Sequence, residues 1–210
     1  MSDSMTSSRE RKAMAMKSGA FVGLVMLGLL SDLWLAMPAD AGPRERVGEL
    51  VGGVAAVVRD PALQNTERQA RVRAIIDGTF DFEAMGQQAL GTRWQALTPA
   101  QRDEFVGLFA ELFKRSYTRL VLRFLGDRRT TYVTESTTGN RAAVETMLAG
   151  GKEERLPVGY RLARKHEQWQ VVDVVIDGVS LAEGYRAQFE RIARNSSYET
   201  LLRRMRGKAQ

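Results

Sequence analysis

Residues 98–126 read TPAQRDEFVGLFAELFKRSYTRLVLRFLG, and this stretch decides how the chain is organised. Thr98, Pro99 and Gln101 suit the cap, the first turn and the capping box of a helix. Apolar residues then recur at spacings of three and four, the repeat of one helix face: Phe105, Leu108, Phe109, Leu112, Phe113, Tyr117, Leu120, Val121 and Phe124. The stretch predicts a long amphipathic helix, with Gly126 suited to its C-cap.

After Gly126 the apolar pattern changes from a helical repeat to alternation, which is typical of strands. Four strands are predicted, at residues 129–136, 141–148, 155–163 and 168–176. Turn-forming residues at 138–140, 150–152 and 165–167 separate them. Connections this short imply an antiparallel meander.

Further helices flank the predicted sheet on both sides. Those before it cover 44–58, 66–76 (ended by a turn at Asp77-Gly78) and a short segment opened by Asp81. Those after it begin at Ser180, whose capping box Glu183 completes, and at Ser197. Helices segregated from an antiparallel sheet predict an α+β domain.

The first 41 residues have the order of a secretory signal peptide. A basic segment precedes an apolar run at 20–30, and Ala39-Asp40-Ala41 is a small-residue cleavage signal; the basic residues are Arg9, Arg11, Lys12 and Lys17. An uncleaved membrane anchor is the alternative interpretation. Cleavage would leave one domain, 42–210, in the periplasm of a bacterium with two membranes.

The chain is basic and contains no cysteine. Lys and Arg number 31 against 25 acids, a net charge of +6. Residues 1–41 carry four of each, so the mature chain keeps 27 bases, 21 acids and the same +6. Once exported, such a chain meets anionic lipid or an acidic partner rather than nucleic acid. The missing cysteine excludes disulfides and thiol catalysis.

The candidates for chemistry are few. His166 is the single histidine, in a predicted turn, so neither a metal site nor a serine triad is expected, and no cofactor is predicted. Asp173 lies among valines in the last predicted strand. Either it is a general base, or it is a structural acid bonded to a backbone N–H or to an arginine such as Arg161. The structural role is the commoner one.

Two long segments carry a resemblance to a known family. They are FDFEAMGQQALGTRWQALTPAQRDEFVGLFAELFKRSY at 80–117 and VGYRLARKHEQWQVVDVVIDGVSLAEGYRAQFERI at 158–192. Their marks include Leu90-Gly91, Trp94, Trp169 and Gly178-Val179-Ser180. Over roughly 44–206 the chain resembles the MlaC family, periplasmic phospholipid-binding proteins also called toluene-tolerance proteins.

The resemblance implies a nuclear-transport-factor-like fold with an apolar cavity between a four-stranded sheet and a helical layer. It implies a lipid shuttle, not an enzyme. Such a shuttle docks transiently on an outer-membrane lipoprotein complex and on an inner-membrane ABC transporter. The transport it carries out would maintain outer-membrane lipid asymmetry. A branch of the superfamily associated with hopanoids is an alternative. So are a small exported enzyme using Asp173 and an adaptor that binds only protein.

Lipid-binding residues are predicted from the direction in which side chains face. Val172, Val174 and Ile176 are expected in one wall, opposite a helix from Leu181 to Ile192. The full predicted set is Leu108, Phe109, Leu112, Phe113, Tyr117, Val144, Val158, Tyr160, Leu162, Val172, Val174, Ile176, Tyr185 and Phe189. The basic tail, Arg203, Arg204, Arg206 and Lys208, is either a docking site or a solvated helix face.

Overall fold

The structure is a computed structural model that describes residues 41–125, 128–150, 154–194 and 196–209. The predicted signal peptide lies outside the described residues, except for Ala41, and so does the predicted C-cap Gly126. Within the described residues, no helix combines the length and the hydropathy needed to cross a membrane.

From residue 41 onwards, where the described chain begins, three helices precede the long one: α1 (Pro43–Arg59), α2 (Asn65–Thr79) and α3 (Phe82–Leu90), followed by a 3₁₀ helix, Gly91–Ala96. The predicted turn at Asp77-Gly78 is wrong, because both residues are helical in α2. Burial of Ile76 and Thr79 against the core outweighs the cost of about 1 kcal/mol for a helical glycine.

Helix α4 (Pro99–Phe124) is the long helix that the sequence predicts. The Gln101 N–H donates to Thr98 Oγ1 at 3.3 Å, and the Thr98 N–H donates to Gln101 Oε1 at 2.9 Å. The predicted capping box is therefore confirmed. The apolar face is buried at Phe105, Phe109, Leu112, Phe113 and Tyr117.

The sheet has five antiparallel strands in sequence order: β1 (Arg129–Thr138), β2 (Arg141–Gly150), β3 (Glu154–Lys165), β4 (Gln168–Ile176) and β5 (Val179–Ser180). The four predicted strands are all present. The fifth was not predicted because it has only two residues, which pair with Val175 and Ile176. It follows a tight turn in which Asp177 and Gly178 have φ of +50° and +77°.

A β-bulge in β4 changes which valines face the core. Arg161 pairs with Asp173 and Leu162 with Val171, so Val172 is an extra residue without a partner in β3. The extra residue reverses the alternation at this point. Val171 and Val174 are fully buried, whereas Val172 is only half-buried. The prediction that Val172 and Val174 share a wall is therefore wrong, and Val171 takes the inward place.

Helices α5 (Leu181–Arg194) and α6 (Tyr198–Ala209) complete the helical layer. The interior lies between this layer and the sheet. Its buried apolar side chains come from α1 to α6, from Trp94 of the 3₁₀ helix, and from β2, β3 and β4. Helix α5 packs against α3 and β4, and α6 packs against α4. The predicted α+β architecture is confirmed.

Candidate functional site

An apolar cavity of about 590 Å³ lies between α4, α5 and α6, and we call it the helical cavity. Helices α4 and α5 supply most of its lining: Leu112, Phe113, Ser116, Tyr117, Leu120, Leu181, Gly184, Tyr185, Gln188, Phe189 and Ile192. Val179, which is 64% exposed, lies on its rim. The volume is in the range of small-molecule sites, which are typically about 300–1,000 Å³.

A second apolar cavity, of about 220 Å³, lies between α1, α4 and the sheet, and we call it the sheet cavity. Its lining includes Leu50, Val51, Val54, Val158, Tyr160 and Ile176. Tyr117 and Leu120 line both cavities. The two spaces are therefore neighbours that share these two side chains of α4.

Aromatic rings build the walls of the helical cavity. Phe113 and Tyr117 stack on α4 with centroids 5.4 Å apart, and Tyr185 of α5 meets Phe109 edge-on at 5.2 Å. Tyr117 and Tyr160 are both buried, and burial raises the pKa of each phenol, that of Tyr117 to about 12. Both phenols therefore stay neutral, as the wall of an apolar site requires.

Asp173 holds the N-terminal end of α5 in place. Its Oδ2 accepts from the Ser180 hydroxyl at 2.6 Å, and its Oδ1 accepts from the Ala182 N–H at 3.0 Å. The Glu183 N–H in turn donates to Ser180 Oγ at 3.1 Å. Asp173 thus holds the first turn of the helix that carries Tyr185.

These contacts favour the structural role of Asp173. The side chain is 5% exposed and lines neither cavity. Arg161 lies opposite it in the sheet, but the Arg161 guanidinium pairs with Glu145 at 2.6 Å. Of the two alternative partners expected for a structural Asp173, a backbone N–H is the one present, and Arg161 is not.

Metal-binding side chains do not cluster within the described residues: no group of three or more His, Asp or Glu lies close enough to hold an ion. His166 is exposed in the β3–β4 turn, with φ of +48°. The predicted turn position of this histidine is confirmed.

The predicted lipid-binding residues divide into four groups. Leu112, Phe113, Tyr185 and Phe189 line the helical cavity; Val158, Tyr160 and Ile176 line the sheet cavity; Tyr117 lines both. The remaining six line neither, and several are packed in the core: Leu108, Phe109, Val144, Leu162, Val172 and Val174. Contact of any of these side chains with lipid stays a prediction.

Helices α1 and α6 contribute lining residues that the sequence did not indicate. Leu50, Val51 and Val54 come from α1, and Arg204, Met205 and Lys208 from α6. The apolar repeat of each helix was visible, at Leu201, Leu202 and Met205 for α6. A repeat identifies a buried face, but it does not say which neighbouring element that face covers.

These features define a class: an α+β protein with one apolar cavity among its helices and a second between its helices and its sheet, both lined by aromatic side chains. The chain belongs to the MlaC family, since the model described as "MlaC protein" matches residues 49–207. This confirms the family resemblance seen in the sequence.

A solved structure similar to this chain is the phospholipid-binding protein from Ralstonia solanacearum, determined in complex with a phospholipid. The two sequences are 25% identical and the TM-score is 0.70; the match covers 81% of this chain and 97% of that one. No curated protein matches the sequence. The similarity confirms the predicted fold.

Proposed function

We propose that the protein binds a phospholipid and carries it through the periplasm. The observation that carries this proposal is the pair of adjoining apolar cavities that meet at Tyr117 and Leu120. The family and the phospholipid bound to the similar Ralstonia protein support the same ligand class.

The driving force for binding would be burial of acyl chains. Each buried methylene contributes about 0.8 kcal/mol, so a long chain binds strongly without any specific polar contact. The cavity linings suit this, because Phe113, Leu120 and Phe189 are apolar and the phenol of Tyr117 is kept neutral by burial. No catalytic step is needed, and Asp173 is already used to hold α5.

Transport between membranes is the role we propose for this binding. The carrier would receive lipid at an outer-membrane lipoprotein complex and deliver it to an inner-membrane ABC transporter, or work in the reverse direction. The secretory pattern of residues 1–41 and membership of the MlaC family support a periplasmic location. The basic surface suits transient docking near anionic membranes.

Native mass spectrometry of protein purified from its own periplasm, followed by lipid extraction, tests the proposal. We expect phospholipid in a stoichiometric amount, with a range of headgroups. A hopanoid in its place would assign the chain to the hopanoid-associated branch. A folded protein that carries no lipid would refute the proposal and favour an adaptor or an enzyme.

A further inference from the structure

The basic residues of α6 differ in whether their side chains have partners. Arg203 donates to Thr200 Oγ1 at 3.1 Å, and Arg206 forms an ion pair with Glu104 of α4. Among the described residues, the side chains of Arg204 and Lys208 have no hydrogen-bonding or ionic partner. These are the two that line the helical cavity.

The position of Arg204 and Lys208 follows from how α6 is attached. Met205, which lines the cavity with them, is buried. The Tyr198 hydroxyl donates to the Gln101 carbonyl at 2.9 Å, and Arg115 Nη1 donates to the Lys208 carbonyl at 3.2 Å. Both ends of α6 are thus tied to α4, so its inner face is held over the cavity.

Arg204 and Lys208 are four positions apart, so they lie one turn apart on the same helix face. Both are exposed, with charged ends free to reach solvent beside an apolar interior. Of the described residues that line the cavity, these two are cations and none is an acid. Arg115 adds a third positive charge nearby and satisfies a carbonyl at the negative end of the α6 dipole.

An apolar cavity that has at one edge two cations without partners among the described residues fits a ligand with apolar chains and one anionic group. Phosphate suits this pair because several of its oxygens accept hydrogen bonds, from a bidentate guanidinium and from an ammonium. We infer that Arg204 and Lys208 bind the phosphate of the bound lipid. This inference rests on the proposed lipid-binding function and specifies the orientation of the ligand.

The orientation has two consequences. The acyl chains run from α6 towards Tyr117 and Leu120, and the headgroup beyond the phosphate faces solvent, where its chemistry is not read. The protein should therefore prefer phosphate-bearing lipids to neutral lipids with the same chains. Two exposed charge contacts together would give a preference of roughly tenfold in Kd.

The test compares two lipids on delipidated protein: phosphatidic acid and diacylglycerol with identical acyl chains. The double variant Arg204→Gln/Lys208→Gln should bind phosphatidic acid roughly tenfold more weakly and diacylglycerol as the native protein does. The matched control is Arg203→Gln/Arg206→Gln, which removes the same charge from the same helix. The control variant should keep the preference for phosphatidic acid over diacylglycerol.

Each outcome has one meaning. A native protein that binds neither lipid overturns the proposed function itself. Equal binding of both lipids, a preference retained by the cavity-facing variant, or equal losses in both variants would overturn only the phosphate site. Displacement of phosphatidic acid by an equal concentration of inorganic phosphate would show a site for free phosphate and would also overturn the inference.

Discussion

Substitution of Gly184 by leucine tests whether the helical cavity is the place where acyl chains bind. Gly184 lies inside α5 and lines this cavity, and a Cβ built on it meets no atom within 4 Å. The Cβ of the added side chain therefore enters open space. The effect of the substitution on lipid binding can therefore be measured separately from its effect on the stability of the fold.

The expected magnitudes have opposite signs for folding and for binding. Leucine is a better helix former than glycine by roughly 0.5–1 kcal/mol, so the free energy of unfolding of the lipid-free protein should stay the same or rise. Its side chain would displace about four methylene groups of ligand, at about 0.8 kcal/mol each. The loss of about 3 kcal/mol corresponds to roughly 100-fold in Kd.

Lipid occupancy by native mass spectrometry and urea unfolding measure the two quantities. Gly107→Leu is the matched control: Gly107 lies on the exposed side of α4, lines neither cavity, and also has open space around a built Cβ. It should bind lipid normally. Full occupancy in a folded Gly184→Leu protein would refute the assignment of the cavity, as would an equal loss in both variants.

Two further substitutions test the supports of the site. Asp173→Ala leaves the Ser180 hydroxyl and the buried Ala182 N–H without their acceptor, and should lower the free energy of unfolding by about 2–4 kcal/mol in urea titrations; Asp173→Asn, which keeps an acceptor, should cost less. A change in Asp173→Ala no larger than that of a surface substitution would contradict this role. Tyr117→Phe tests how stability depends on alkaline pH. Burial raises the pKa of Tyr117 from 10 in the unfolded chain to about 12 in the folded protein. The neutral phenol's contribution to the free energy of unfolding is complete below pH 10 and is lost as pH rises towards 12. Over that interval the free energy of unfolding of the native protein should therefore fall by up to about 3 kcal/mol more than that of the variant. If the free energies of unfolding of the two proteins changed in parallel between pH 10 and 12, this prediction would be wrong.

Local chemistry explains what the sequence could predict. The Thr98 and Gln101 capping box, the apolar repeat of α4 and the alternation of β3 each depend on neighbours within a few residues. All three are present in the structure. The order of helices and strands followed from these elements, and the α+β class followed from the order.

Non-local geometry explains what the sequence could not predict. The bulge at Val172 depends on how β4 pairs with β3, and one extra residue moves Val171 to the face assigned to Val172. Helix α2 continues through Gly78 because its last turn is buried by other elements. Periodicity likewise identified Val144 and Val174 as inward-facing, but it could not show that side chains already fill the space there.

Asp173 shows how a buried acid can position a helix. Its strand supplies part of the core, and its carboxylate reaches past the tight turn at Asp177-Gly178 to the first residues of α5. That contact sets where α5 begins and therefore where Tyr185 and Phe189 stand relative to α4. Since the helical cavity is the gap between these helices, the acid influences the shape of this cavity from a position outside it. In a strand followed at once by a helix, a buried Asp is therefore better explained by the free N–H groups of that helix than by catalysis.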